Sequence, residues 1–380
     1  MRRRRPRLLV ALALGVLVGL AAAPALAGGY IRVALADGIR AVELGGGPLA
    51  IQDAGGRPLT AERPTWIRLI PVNGSVEVRG LRVTGLRAGA IRVVSANGGA
   101  MRWNGREYPG AIDVRRAADG LLVVNELPLE DYLMGAVKAE AGERMPIEML
   151  KAQAIVARTY AAFHRRLNAG KPYQIVAATA HQQYAGRVGA ESPIWAAVRA
   201  TEGQVLLWEG DLFPAFYHTD SGGHTEDPRA VFAASNMPAL RPVRIEFPSE
   251  SPHHLWALDL PLADLGALLR KGGVSVGRLI ALEVLERSVS LRVARIAVRG
   301  MSGTVVLRGN DFRRLVGYDT LKSTLFAVAV DGAHARFAGR GYGHGVGMDQ
   351  ASARTMAQLG YSAQQILEYH YPGAAFATLQ

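Results

Sequence analysis

The sequence predicts an α+β protein in which mixed antiparallel β regions flank a central helical segment. Three observations carry that expectation. From Tyr30 to about Leu122, short runs such as IRVAL, AVEL, SVEVRGLRVTGL and AIRVVS alternate apolar with polar residues, and GGG, AGGR and ANGG punctuate them. That is the pattern of half-buried strands joined by tight turns. Between Leu127 and His164 the apolar spacing changes to three and four, and Pro128 and Pro146 each stand where the first turn of a helix tolerates proline. Strand-like runs return from Leu279 to Arg308, and the chain closes with GRGYGHGVGMDQ and two short helices.

Taken in order, residues 1–27 read as a secretory leader. Five arginines precede an apolar run from Leu8 to about Leu20, and Ala25-Leu26-Ala27 has the small-x-small form of a cleavage site. The run gives way to small residues and Pro24 before it reaches the roughly 20 apolar residues a spanning helix needs. The expectation is export to the periplasm or cell wall, cleavage after Ala27, and no membrane span in the mature chain. Residues 28–122 form an N-terminal β-rich region, and 123–235 a core with a helix pair joined by Ala141–Met145. Within that core, Ser192 to Arg199 suggests a further helix, and QVLLWEG and LFPAFYH suggest strands. Residues 236–330 form a β-rich insertion, entered through the proline-bearing stretch Phe232 to Pro252, and 331–380 return to complete the core.

Composition narrows the function classes. Taking the five leader arginines from 44 basic residues leaves 39 against 32 acidic ones, a formal charge of +7 in place of +12. Such a surface suits an anionic polymer like a cell wall. Without an arginine-rich tract or a recognisable module, the mature part gives no reason to expect nucleic acid. The chain of 380 residues has no cysteine, which excludes disulfides, thiolate metal sites and a cysteine nucleophile.

The chemistry concentrates around Glu140. Leu129, Tyr132, Leu133, Ala136 and Val137 mark one helical face, and Glu140 continues it with a carboxyl group. A buried carboxyl is costly unless it is paired, hydrogen-bonded or protonated. Glu143 in the loop and Glu148 on the polar side of the next helix read as solvated charges. On that second helix Lys151 and Arg158 share one line, whereas Gln153 falls among Met149, Ala157 and Tyr160. Two readings stay open for Gln153 and Arg158: contact with substrate, or a structural role in which the glutamine ties down a loop and the arginine pairs with an acid.

LPLEDYLMGAVKAE followed by PIEMLKAQAIVARTYA resembles the signature of the SpoIID/LytB family, the stage II sporulation protein D and amidase-enhancer group of exported cell-wall proteins. Two further segments agree in order and spacing. YHTDSGGHT resembles the family's tyrosine/histidine, serine and paired-glycine segment, and GRGYGHGVGMDQASARTMAQLG with ILEYHYPG resembles its carboxyl-terminal signature. Together they span about Leu127 to Pro372. The resemblance implies a SpoIID-like fold and, as in some members, lytic transglycosylase activity on peptidoglycan glycan strands with Glu140 as the one catalytic acid/base. It also implies a substrate groove contributed by Lys138, Gln153, Arg158, Tyr217, His218, Ser221, His344 and Gln350, and no cofactor. The alternative it implies is a non-catalytic enhancer of an N-acetylmuramoyl-L-alanine amidase. In one place the chain departs from the pattern: relatives commonly carry Met-Pro after the glutamate, and here Ala141-Gly142 follows.

Three other signals have weaker alternatives. Thr219-Asp220-Ser221-Gly222-Gly223 with His181 resembles protease segments, but only forty residues separate the histidine from the serine, and no segment supplies the aspartate of a triad. His218 and His224 lack cysteine or a third ligand, so no metal is expected. The alternating glycines Gly339 to Gly347 lack the Lys-Ser/Thr of a phosphate loop. They permit close backbone approach, to another strand or to a sugar.

Overall fold

The structure is a computed structural model that describes residues 29–179, 181–232 and 237–379. The leader expected over residues 1–27 lies outside the described residues. The fold is α+β. Two six-stranded sheets form the N-terminal part. The first runs in the order Ile175–Val176, Tyr30–Ile39, Leu121–Pro128, Ala111–Arg116, Ala90–Ser95, Leu49–Gln52. The second runs Arg87–Ala88, Ser75–Arg79, Trp66–Val72, Val42–Gly45, Met101–Trp103, Arg106–Tyr108. The period of two along each strand puts Ile31, Val33, Val42, Leu44, Ile67, Leu69, Ile91 and Val93 into one shared core.

Eight α-helices follow among the described residues: α1 (Leu129–Glu140), α2 (Ile147–Leu167), α3 (Pro193–Ala200), α4 (Pro228–Val231), α5 (Leu262–Lys271), α6 (Gly309–Val316), α7 (Gln350–Gln358) and α8 (Ala363–His370). The strand Leu121–Pro128, held against Tyr30–Ile39 with Pro128 opposite Tyr30, runs directly into α1. The sheet therefore fixes where α1 begins and in which direction it points. Leu129, Tyr132, Leu133 and Val137 of α1 enter the β core. Helix α2 is a wall between two cores. Leu150, Ala154, Ala157 and Ala161 face the β core, whereas Met149, Ala152, Ile155 and Val156 pack with Val346, Met348, Ile366, Leu367 and Tyr371.

The inserted layer has a core of its own, built on Leu265 and Leu269 of α5, Phe312 and Val316 of α6, and Trp256, Ile296, Val298, Phe326 and Phe337 from its strands. Leu255–Pro261, His334–Arg340 and Phe326–Asp331 make one three-stranded sheet; Leu279–Arg287, Val293–Gly300 and Gly303–Arg308 make another. His334–Arg340 is the central strand of the first sheet, so this layer runs to Arg340 instead of ending at residue 330.

The alternating glycines approach protein. A Cβ on Gly347 would lie 1.9 Å from the Phe216 carbonyl, one on Gly343 2.8 Å from the His218 Cβ, and one on Gly341 2.5 Å from the Asp220 carbonyl. All three have positive φ. The segment thus lies against Phe216–Ser221, pairing in parallel at Tyr217 with Met348 and at His218 with Asp349. A Cβ on Gly345 would fall 2.6 Å from Nε of Arg292. That arginine, 1% exposed, comes from the inserted layer and donates to the Ser221 carbonyl at 2.6 Å, which fastens the layer to the core.

Candidate active site

Glu140 is the last residue of α1. The Ala141 N–H bonds back to the Val137 carbonyl at 2.9 Å and the Gly142 N–H to the Lys138 carbonyl at 3.1 Å. Gly142 then turns the chain away at φ +77°. Glycine in that conformation ends a helix without steric cost. Ala141-Gly142 therefore stops α1 directly after its carboxylate, and Ala141 joins Glu140 in lining a cavity of about 180 Å³. Met145, Met149, Thr219 and Gln350 are also in its wall.

The carboxyl group is held from several sides. Its Oε1 accepts the Gln183 N–H. Behind it, Tyr132 donates to Oε1 of Gln182 at 3.0 Å, and Nε2 of Gln182 donates to the Tyr217 hydroxyl at 3.2 Å. Burial pushes the Glu140 pKa from its ordinary 4.5 up to about 7, against the opposing pull of the Gln183 N–H and the Tyr217 hydroxyl. A group raised in this way stays protonated well into the neutral range, as a general acid must.

That shift predicts a pH-dependent stability. Because the folded value lies above the unfolded one, the favourable contribution is fully present below pH 4.5 and is lost as pH rises through about 7. Between those limits wild type should lose up to about 3 kcal/mol relative to Glu140→Gln, whose amide does not titrate. Urea midpoints of the two proteins at pH 4.5, 6 and 8 check it. Parallel pH profiles would mean that Glu140 is solvated.

The structure divides the residues expected in the groove. Gln350, the first residue of α7, donates from Nε2 to the Glu140 carbonyl at 3.4 Å and to Oε1 of the fully buried Gln153 at 3.0 Å. Asp349 sets that position by capping α7, accepting from Ala351 N and Ser352 N, while its other oxygen takes the Ser221 N–H at 3.0 Å. Tyr217, Gln153 and Gln350 are thus gathered around Glu140.

Three others are not. Arg158 is 0% exposed, its guanidinium paired with Glu130 at 2.6 and 2.7 Å and with the Gln204 carbonyl at 3.1 Å, so a sugar has no access to it. Ser221 is also buried, and its hydroxyl accepts the Gly223 N–H at 3.1 Å as part of a turn. Lys138 pairs with Glu143 at 3.2 Å and does not line the cavity.

His218 and His344 do not line the cavity but pack on each other, their ring centroids 5.7 Å apart. Nδ1 of His218 meets the Val346 carbonyl at 3.1 Å, and Nδ1 of His344 accepts the Val346 N–H at 3.0 Å. Burial lowers both, His218 to about 3, so the pair is neutral. No cluster of three or more metal-ligating side chains occurs among the described residues. Glu148 is more than a solvated charge, since it pairs with Lys151 at 2.6 Å and accepts the Ala363 N–H at 2.8 Å, tying α2 to the start of α8.

Sequence reasoning missed four residues here. Gln182 and Gln183 sit in a stretch without periodicity, where nothing marks them. Glu250 and Arg354 also line the cavity and pair with each other at 3.4 Å. The Glu250 side chain is 61% exposed, unlike that of Glu140.

A family model described as Stage II sporulation protein matches residues 117–208, the span of α1, α2 and α3, and one described as a domain of unknown function matches residues 247–347, which include the inserted layer. The chain is similar to an uncharacterized protein of Brachyspira hyodysenteriae, 30% identical over 271 residues that cover 71% of this chain and 72% of that protein. It is similar to Stage II sporulation protein D of Bacillus subtilis, 28% identical over 284 residues, covering 70% and 78%. It is also similar to the amidase enhancer of Bacillus subtilis, 27% identical over 296 residues, covering 65% of this chain and 40% of that protein.

Proposed function

The chain belongs to the SpoIID/LytB family, and from that premise we propose that it is an exported peptidoglycan-remodelling enzyme, a lytic transglycosylase that cleaves glycan strands with Glu140. The observation that carries the reading is one desolvated carboxyl, raised to about 7, in the wall of a cavity large enough for a sugar ring. Glycosidic oxygen is a weak proton acceptor, so its departure at neutral pH needs a carboxylic acid that is still protonated. Glu140 gives its proton to that oxygen as the bond to the anomeric carbon breaks. The 6-hydroxyl of the same muramic acid then bonds to the anomeric carbon and returns a proton to Glu140, closing a 1,6-anhydro ring. Water-dependent glycosidases generally need a second carboxylate as base or nucleophile; this sequence of steps does not.

Glu250 supports a competing hydrolytic reading, because it places a second carboxylate in the same cavity. The similarity to an amidase enhancer supports a third, in which the protein binds strands and stimulates a separate amidase without cutting. Mass spectrometry of purified strands after incubation separates the three. Products ending in 1,6-anhydro-muramic acid are expected. Reducing ends would transfer the chemistry to a water activated by Glu250. Uncut strands together with a stimulated amidase would make the protein an enhancer. No helix among the described residues is long and apolar enough to cross a membrane, which is compatible with action in the wall after export.

A further inference from the structure

The segment that holds Glu140 continues along the surface. From Gln183, whose N–H bonds Oε1 of Glu140, burial alternates: Gln182, Tyr184 and Gly186 are buried, whereas Gln183, Ala185 and Arg187 reach the surface. The buried side is fastened to Arg106–Tyr108, the edge strand of the second sheet. The Arg187 N–H donates to the Glu107 carbonyl at 2.7 Å, Nη1 of Arg106 donates to the Tyr184 carbonyl at 3.1 Å, and a Cβ on Gly186 would fall 2.3 Å from the Glu107 carbonyl. Arg187 stands four residues after Gln183, at most about 14 Å of chain. The outward strip therefore leads from Glu140 onto the outer face of the second sheet.

On that face the register makes a single row. Arg102 lies opposite Glu107, and Gly45 lies opposite both Arg102 and Trp66. Residues directly opposite one another in antiparallel strands share a face, and the alternate residues Ile67, Met101 and Trp103 fill the core on the other side. Neighbouring strands are about 5 Å apart, so Trp66 stands about 10 Å beyond Arg102. Trp66 is 47% exposed, and Gly45 keeps it open: a Cβ there would lie 3.6 Å from Cδ1 of the indole, so a longer side chain would cover the ring. Arg102 and Arg187 share the one carboxylate of Glu107, at 3.4 and 3.5 Å. Pairings that long leave most of the guanidinium N–H donors unengaged and the pair of arginines in excess of charge.

We propose that this row, from Gln183 through Arg187 and Arg102 to Trp66, is a track that holds the glycan strand outside the Glu140 cavity. A glycan strand is linear, its rings present flat C–H faces, and its edges carry hydroxyls, amides and, where the lactyl group of muramic acid bears no peptide, a carboxylate. An exposed indole suits the faces, as a large apolar surface with a polar N–H at its rim. Guanidiniums suit the edges and pair with carboxylates through two parallel hydrogen bonds. Continuity selects this occupant, because a polymer with one unit in the cavity lays its next units on the surface beside it. The inference rests on the proposed function and deepens it: Glu140 acts on a strand gripped several units away from the bond that breaks.

The test uses full-chain Glu140→Gln, so that no strand is cut, alone and combined with Trp66→Ala, Trp66→Phe or Arg187→Ala. Each protein is titrated with long peptide-free glycan strands and with the tetrasaccharide prepared from them, a short ligand for the cavity. Trp66→Ala should weaken long-strand binding about tenfold, the loss typical of an aromatic anchor, while tetrasaccharide binding stays unchanged. Trp66→Phe should recover most of the loss. Arg187→Ala should cost about threefold, an effect that added salt removes. Unchanged long-strand affinity in Trp66→Ala overturns the track and leaves the cavity reading standing. Equal loss for long strands and tetrasaccharide overturns it as well, since the substitution then acts through the fold. Long strands that bind through Trp66, with the tetrasaccharide unbound and no strand cut by wild type, support the track and overturn the cavity reading, whereas binding of neither ligand overturns both. A dimer that dissociates in Trp66→Ala, with strands unbound, would make the face a contact between copies of the chain and overturn this choice of occupant.

Discussion

Glu140→Gln should lower strand cleavage about 10²- to 10⁴-fold, the range that general acid–base assistance supplies, with fold and strand affinity retained. Glutamine keeps the volume of the side chain, and its carbonyl oxygen can still accept the Gln183 N–H that holds Oε1 of Glu140. What it lacks is the proton. The loss should therefore appear in kcat, with KM for strands little changed, because the missing interaction is made in the transition state. Glu143→Gln is the matched control. Hydrogen bonds from Ser192 and Lys138 hold Glu143 below the usual carboxylate range, so it is already ionised at neutral pH and has no proton to give. Its substitution should change the rate by less than about twofold, as expected for a surface position away from the site. Wild-type cleavage that survives Glu140→Gln would mean that the acid lies elsewhere, and Glu250→Gln would be the next protein to measure.

Why Glu140 could be found from sequence is a matter of periodicity. A helical stripe of Leu129, Leu133, Ala136 and Val137 makes a carboxyl group at the next position conspicuous, and α1 has that form. What holds the carboxyl was not legible, because Gln183 reaches it from 43 residues away through a backbone N–H, a group that every residue but proline carries. Arg158 was open to misreading for a related reason. Sharing a line with Lys151, it looked like part of a polar face, whereas Glu130 at the start of α1 folds over and buries it. Ser221 belongs to a segment rich in polar atoms, but Gly223, Asp349 and Arg292 of the protein itself take them up. The glycine alternation announced a close approach without naming the neighbour, since a missing Cβ fits a strand as well as a sugar. Helix α5 lies in the region expected to be β-rich, although Leu262, Leu265 and Leu269 recur at helical spacing. Its ten residues lie between the strands Leu255–Pro261 and Leu279–Arg287, whose alternation is the stronger local signal.

Arg158→Ala should cost about 3–5 kcal/mol of stability, as removal of one partner from a buried ion pair does. The arginine is wholly inaccessible and Glu130 only 8% exposed, so the substitution leaves a carboxylate in the interior with the Gly203 N–H at 3.3 Å as its remaining partner. The Gln204 carbonyl loses the Arg158 donor at 3.1 Å as well, whereas the Val198 carbonyl keeps the Thr201 N–H and hydroxyl. Replacing both partners by apolar residues of similar volume, Glu130→Leu with Arg158→Met, removes the stranded charge and should recover most of the loss, leaving the cost of the Gln204 carbonyl. A urea series at pH 7 on wild type, both single variants and the double variant gives the coupling directly. The pair joins the first turn of α1 to the middle of α2, and Glu140 stands at the other end of α1. The single variants should therefore lose activity along with stability, and the double variant should regain both. A cost below about 1 kcal/mol for Arg158→Ala is what a solvated pair gives; that result would reopen the position to substrate and return Arg158 to the groove.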